Sequence, residues 1–227
     1  MRRTLSIAAV LTISLLLAGT AALAASNEAI KRNNFGVELV KQGRLDEAVA
    51  DFQAAIQSDA QYAAAHANLA YTYDRLGRVD EAIAAYKNAV ALDPKNAIAF
   101  NNLGVLYVKK ESYDEAIQAF EQGLKADPSN ALLQQNLASV KKNRDILKER
   151  EVRIADARKK ADAAPKDPRA AYDVARVYAS FDMQDPAFEW LEKALKLGLD
   201  DIRFVREDPV LLGLRRDPRF ARLLEGR

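Results

Sequence analysis

The chain has 227 residues, 49% of them hydrophobic and 29% charged, with a formal net charge of +2. That balance suits a soluble chain of one or two domains and gives no electrostatic reason to seek nucleic acid as the main partner. The absence of cysteine excludes disulfides, thiolate metal sites and cysteine nucleophiles, and 9 Gly and 7 Pro in a sequence dominated by Ala, Leu, Lys and Glu point to helices.

Residues 1–24 have the pattern of a signal peptide. Arg2 and Arg3 precede an apolar run from Leu5 to Ala18, then Gly19 leads to the small residues Ala22 and Ala24, which form an A-x-A site with the cut after Ala24. The same run could instead stay uncleaved as a membrane anchor, since Leu5 to Ala24 just spans a bilayer. Either way the two arginines stay in the cytoplasm and the remainder is exported, periplasmic or secreted, with contact to a membrane only if the leader is retained. A leader carrying two of the 34 basic residues and none of the acidic ones leaves 32 against 32.

From residue 29 the chain repeats itself. "LDEAVADFQAAIQSDA" (45–60), "VDEAIAAYKNAVALDP" (79–94) and "YDEAIQAFEQGLKADP" (113–128) align at a period of 34 residues, as do the segments before them. The units are 29–62, 63–96 and 97–130. Each is a helix, a turn near Gly43, Gly77 or Glu111, a second helix, and a loop ending in Asp-Pro or its relic Asp59-Ala60. Gly36, Ala70 and Gly104, with Ala48, Ala82 and Ala116, let paired helices approach closely, while Tyr73, Tyr86, Tyr107 and Phe120 fill the layer between hairpins.

These residues resemble the tetratricopeptide repeat (TPR), whose pattern is W-x2-L-G-x2-Y…A-x3-F…P. The third unit supplies Phe100, Leu103, Gly104, Tyr107, Ala116, Phe120 and Pro128; the second supplies His66, Leu69, Ala70, Tyr73, Ala82, Tyr86 and Pro94. The first supplies Phe35, Gly36, Leu39, Ala48 and Phe52 but has Arg32 in the bulky slot and lacks the proline. The resemblance implies an all-α fold: helical hairpins stacked as a right-handed α-solenoid, followed by a long connecting helix and a degenerate C-terminal hairpin.

After Pro128, "ALLQQNLASVKK" (131–142) reads as a capping first helix with no turn behind it. Eleven of the 17 residues from Arg144 to Lys160 are charged, so 144–165 reads as a solvated connector helix. Leu133, Leu137, Val140, Leu147, Ile154 and Ala161 sit near heptad spacing and offer a coiled-coil arm as the alternative. The expected domains are thus the leader 1–24, the repeats and cap 25–143, the connector 144–165, and a degenerate hairpin with a short-helix tail at 166–227. In that last part Val174, Ala175, Tyr178, Ala187, Leu191 and Ala194 fit the repeat. Two Asp-Pro helix starts follow, and Trp190, Phe204, Phe220, Leu223 and Leu224 should close the final apolar face.

No residue set asks for catalysis. The pairs Asp46-Glu47, Asp80-Glu81 and Asp114-Glu115 recur in the first turn of each second helix, where the dipole favours negative charge, and Ser112 with Glu115 has the form of a capping box. His66, the lone histidine, fills a packing slot and cannot by itself make a His-rich metal site. Neither a cofactor nor a small-molecule substrate is expected, and the chain reads as no enzyme.

Asn34, Asn68, Asn102 and Asn136 occupy the sixth position of successive first helices. In the resembled family that position faces the concave groove, so four amides there would clamp the backbone of an extended peptide; the alternative is that each steadies a neighbouring helix. The second position carries Ile30, Ala64, Ile98 and Leu132, the ninth Val37, Tyr71 and Val105, the fifth Asn33, Asn101 and Gln135, and the thirteenth Lys41, Arg75 and Lys109. Together they describe an apolar, amide-rich channel with a positive rim. Chaperone-binding members of the family grip a C-terminal carboxylate with Lys, Asn, Lys and Arg at places held here by Asn33, Val37, Ile98 and Asn102, and only the intervening Asn68 matches. The expected function is a non-enzymatic scaffold or adaptor that binds extended segments of proteins in this groove. The alternative is a structural subunit of an envelope complex, docked through its convex face and C-terminal region.

Overall fold

The structure is a computed structural model and describes residues 7–225, of which 7–22 and 25 are described as backbone only. The leader expected at 1–24 therefore lies largely outside the residues whose side chains are described. The described chain is helical throughout: α1 (Ile7–Lys41), α2 (Leu45–Ser58), α3 (Ala63–Arg75), α4 (Val79–Leu92), α5 (Ala97–Lys109), α6 (Tyr113–Ala126), α7 (Ala131–Ala163), α8 (Pro168–Ser180) and α9 (Gln184–Lys196). Short helices follow: α10 (Ile202–Glu207), a 3-10 turn at Pro209–Leu211, α11 (Leu212–Arg215) and α12 (Pro218–Leu223). The helices group into two compact units that divide between Lys142 and Asn143.

In the first unit, α1 with α2, α3 with α4 and α5 with α6 form three hairpins. Their turns are the same object. Gly43, Gly77 and Glu111 stand at φ of 77°, 75° and 57°. One residue later an N–H donates five residues back, Arg44 to Leu39, Arg78 to Tyr73 and Ser112 to Tyr107, each at 2.9 Å. Glycine is suited to that left-handed backbone, and Glu111 bears its cost. Within each hairpin Ala48, Ala82 and Ala116 are fully buried, and Phe52, Tyr86 and Phe120 fill the space beside them. A Cβ built on Gly36 would stand 2.7 Å from the Phe52 ring, and one on Gly104 would stand 2.4 Å from Phe120. The small residue there admits the ring.

The second helices start differently from expectation. Ser112 makes no side-chain cap bond, so the capping box with Glu115 does not form; its ψ of 69° is far from the extended value that aims a cap hydroxyl at the helix. Arg44 and Arg78 stand at the corresponding starts of α2 and α4 and pair with Glu47 and Glu81. The Arg44 hydrogen bond holds the Glu47 carboxyl below the usual carboxylate range.

Leu133 and Val140 of α7 are buried against Ala116, Ile117 and Phe120, with Leu137 partly buried beside them, which closes the first unit. The far end of α7 is not a solvated connector over its whole length. Ala157 and Ala161 are buried in the second unit's core with Tyr172, Val174, Leu191 and Leu195, and Ile154 packs on that core. Charge count hid this because alanines at a four-residue spacing suffice to seat a helix. Ile146 and Val152, between the two buried ends, are exposed. The α8–α9 turn has the geometry of the repeat turns, with Asp182 at φ 56° and Met183 donating to the Tyr178 carbonyl at 3.0 Å.

Asp167, Asp208 and Asp217 each cap an Asp-Pro start. Asp208 is buried. Its Oδ2 accepts from the Tyr172 hydroxyl at 2.8 Å and lies 2.8 Å from Arg176 Nε, while Oδ1 accepts from the Val210 N–H at 2.9 Å. The arginine contact is an ion pair rather than a directed hydrogen bond, since Arg176 Nε finds no aligned acceptor. Phe220 and Leu224 are buried and Trp190 and Leu223 partly so, but Phe204 is half exposed and only tilts against Tyr172 at 5.8 Å. It lies on the outer side of a six-residue helix whose single buried residue is Val205.

Candidate ligand groove

Three of the four second-position residues form an apolar row on the first helices. Ile30 is 41% exposed, Ile98 72% and Leu132 56%, with the small Ala64 exposed between them and Tyr71 of the ninth position 45% exposed. Large apolar side chains left in water on successive, equivalent turns are what a docking surface requires. Val37 and Val105, the other ninth-position residues, are half buried and pack into the cores beneath. On the rim, Lys109 pairs with Asp74 at 2.6 Å and Lys41 with Glu38 at 2.7 Å, whereas Arg75 has no such partner among the described residues. The positive edge is thereby partly neutralised.

The asparagines are not four free amides. Asn68 Nδ2 donates to Asn33 Oδ1 at 2.8 Å, and Asn136 Nδ2 donates to Asn101 Oδ1 at 2.8 Å. Each bond crosses from a sixth position to the fifth position of the preceding hairpin. Asn33 is consequently buried rather than lining the groove, while Gln135 is exposed. Asn101 Nδ2 lies 3.3 Å from Asn102 Oδ1, and Asn102 Nδ2 donates to the Tyr86 hydroxyl at 2.9 Å. Asn34 is exposed, and so is Phe35, at the position of the buried Leu69 and Leu103; among the described residues no hairpin packs on that side of α1. Much of the amide set therefore joins hairpin to hairpin, the alternative that the sequence left open.

Asn102 reaches Tyr86 because Ala67 stands where Asn33 and Asn101 stand in the flanking units. Beside Ala67 a cavity of about 240 Å³ opens, walled by Tyr71, Ile98 and Ala99. Burial pushes the Tyr86 hydroxyl up to about 12, against the lowering effect of Asn102. Since the folded value lies above the unfolded one near 10, the stability due to the neutral phenol is whole below pH 10 and is lost as pH rises towards 12. The difference in urea midpoint between wild type and Tyr86→Phe should accordingly shrink between pH 9 and pH 11.5; a constant difference would contradict this assignment.

His66 is buried and its Nε2 lies 3.1 Å from the Ala60 carbonyl oxygen, a packing role. Among the described residues no group of three or more His, Asp or Glu side chains is placed to hold a metal. The second unit holds a larger cavity of about 480 Å³ between α7 and α8, where Arg153, Lys160 and Arg169 face Asp156 and Asp173. Its near balance of charge favours no one class of ligand.

Residues 33–97 and 69–131 match the family model described as Tetratricopeptide repeat. No curated protein matches the sequence. Among solved structures, the first TPR of Spaghetti (RPAP3) bound to the HSP90 peptide SRMEEVD is 24% identical, over 52% of this chain and 94% of that one, with a TM-score of 0.50. The Arabidopsis OM64 TPR domain is 21% identical over 52% and 98%, and the Sgt2 TPR domain from Aspergillus fumigatus 20% over 54% and 82%, both at a TM-score of 0.50. At these identities the likeness is one of fold.

Proposed function

We propose that this chain, an all-α protein of tetratricopeptide-repeat fold, is a non-enzymatic adaptor that holds an extended segment of a partner protein along the first helices of its N-terminal unit. Tetratricopeptide repeats are protein-interaction modules, and one similar domain is bound to a peptide. The observation that carries the reading is the exposed row Ile30, Ile98 and Leu132 with Tyr71 beside it. Burying those three aliphatic side chains contributes about 5–9 kcal/mol, against an association cost of about 4–15 kcal/mol. The asparagines add less than free amides would, because several already bond within the protein. The most favourable difference, about 5 kcal/mol, corresponds to a dissociation constant of about 0.2 mM, so reversible micromolar binding also needs burial of Tyr71 and hydrogen bonds to the peptide backbone.

The test uses random peptides displayed by fusion at their N-termini, so that each keeps a free C-terminal carboxylate. The wild-type protein should enrich sequences with spaced apolar residues, and the double variant Ile98→Glu, Leu132→Glu should not, with unchanged circular dichroism. Enrichment of the same sequences by the variant would sink the groove reading. Because Asn33, Val37, Ile98 and Asn102 stand where a carboxylate clamp needs cations and an amide, selected peptides should keep their affinity within about threefold when C-terminally amidated. A tenfold loss would argue for a clamp elsewhere. The leader-like residues 1–24 support work outside the cytoplasm; N-terminal sequencing of protein from an envelope fraction should begin at Ala25.

A further inference from the structure

The fifth and twenty-fourth positions of the three units vary together. Asn33 goes with Phe52 and Asn101 with Phe120, but Ala67 goes with Tyr86. At two junctions an asparagine side chain closes the space between hairpins and accepts from the next unit's sixth position. At the junction of units two and three that amide is missing, and the Tyr86 hydroxyl supplies the acceptor for Asn102 in its stead. The short Ala67 side chain stands in the wall of the cavity, which opens to the same face as Tyr71 and Ile98.

Its polar groups are only partly used. Asn68 spends its Nδ2 on Asn33, and Asn96 spends its Oδ1 on the Ala99 N–H at 2.9 Å as the cap of α5. Among the described residues, Asn68 Oδ1, Asn96 Nδ2 and the Tyr86 hydroxyl hydrogen keep no partner. The cavity thus offers one acceptor and two donors between apolar walls, and no charged residue lines it. A purely aliphatic side chain would strip water from these groups and pair none of them. A carboxylate would enter with no cation to meet it. A carboxamide fits both demands, its NH2 donating to Asn68 Oδ1 and its oxygen accepting from Tyr86 or Asn96.

We infer that this cavity is a specificity pocket for the side-chain carboxamide of an asparagine or glutamine in the bound segment, which takes the place that Ala67 leaves open. The inference rests on the groove reading above and adds the residue that the groove selects. Ala67→Asn is the discriminating variant, because asparagine already occupies this position in the units on either side and the fold accepts it there. Ala67→Leu fills the same space without an amide and serves if the first variant fails to fold.

The experiment repeats the selection from random displayed peptides with wild type and each variant, checked for folding by circular dichroism. Wild type should enrich Gln or Asn at least fivefold over the input at one fixed position relative to the apolar residues. The variants should lose that preference and keep the apolar pattern. A wild-type selection with no carboxamide position, or a preference that survives in a folded Ala67 variant, overturns the pocket and leaves the groove standing. A selection in which wild type enriches no pattern at all overturns both.

Discussion

Replacing Asp208 by alanine should cost the C-terminal unit about 3 kcal/mol, more than its place in a short connecting turn suggests. The side chain is buried and meets three partners from two parts of the chain: the Tyr172 hydroxyl, Arg176 and the Val210 N–H. Alanine removes the cap and leaves a buried phenol without an acceptor. It also removes the nearer counter-charge of Arg176, leaving Asp173 at 3.9 Å; that guanidinium side chain is 39% exposed, so solvent returns part of the loss. Asp208→Asn has a single oxygen, which can keep the cap while its NH2 turns towards Tyr172 and Arg176, so it should recover only part of the loss and cost about 1–2 kcal/mol. The single tryptophan, Trp190, packs against this core, so its fluorescence through a urea titration follows this unit directly. An unchanged midpoint in Asp208→Ala would mean that α8 and the tail are held by their apolar contacts alone. Burial and the bond to Asp208 also push the Tyr172 hydroxyl well above the usual tyrosine value, so this unit should lose stability as pH climbs beyond about 10.

In the first unit Phe120→Ala should cost about 3–5 kcal/mol, the range for truncating a fully buried aromatic. The ring is 1% exposed and touches two layers, the Gly104 backbone of its own hairpin and the cluster of Ile117, Leu133 and Val140 under the cap. Alanine would open a hole that neither rigid helix can close. The converse change, Gly104→Ala, puts a methyl 2.4 Å from that ring and should cost about 1–3 kcal/mol by overpacking. The two effects share one space, so the double variant should be more stable than the sum of the single losses predicts. Chemical denaturation read by far-ultraviolet circular dichroism gives the three values, and strict additivity would show that Gly104 and Phe120 do not constrain each other. Ala70 facing Tyr86 marks the limit of this argument, since one hairpin has already adjusted to the methyl.

The hairpins, their turns and the small-against-large pairing could be read from the 34-residue period, because each is a local property copied three times. Exposure of Ile30, Ile98 and Leu132 was legible for the same reason. The use of the asparagines was not. Their bonds join residues 35 apart on different helices, so whether an amide faces a groove or a neighbour depends on how closely the hairpins approach. The Ala67–Tyr86 exchange was visible in the sequence, but only to a comparison of columns within the array. The exposure of Phe35 was not legible from its place in the repeat, since Leu69 and Leu103 hold the same position and are buried. Asp208 was legible as the cap of an Asp-Pro start, but its burial and its contacts with Tyr172 and Arg176 were not, because no repeat links those positions.

The order of packing along the chain has a consequence for how it acquires its structure. In the N-terminal unit each helix packs mainly on the next one or two in sequence, so no contact must wait for a distant segment. Such connectivity belongs to fast folding, with each hairpin able to settle as soon as its successor is available. The C-terminal unit differs, since Tyr172 must find Asp208 across 36 residues before α8 has its buried partner. A chain appearing N-terminus first would have three hairpins in place while α8 still awaited the tail, so a truncation before Asp208 strips the second unit of its anchor and leaves the array's own contacts whole.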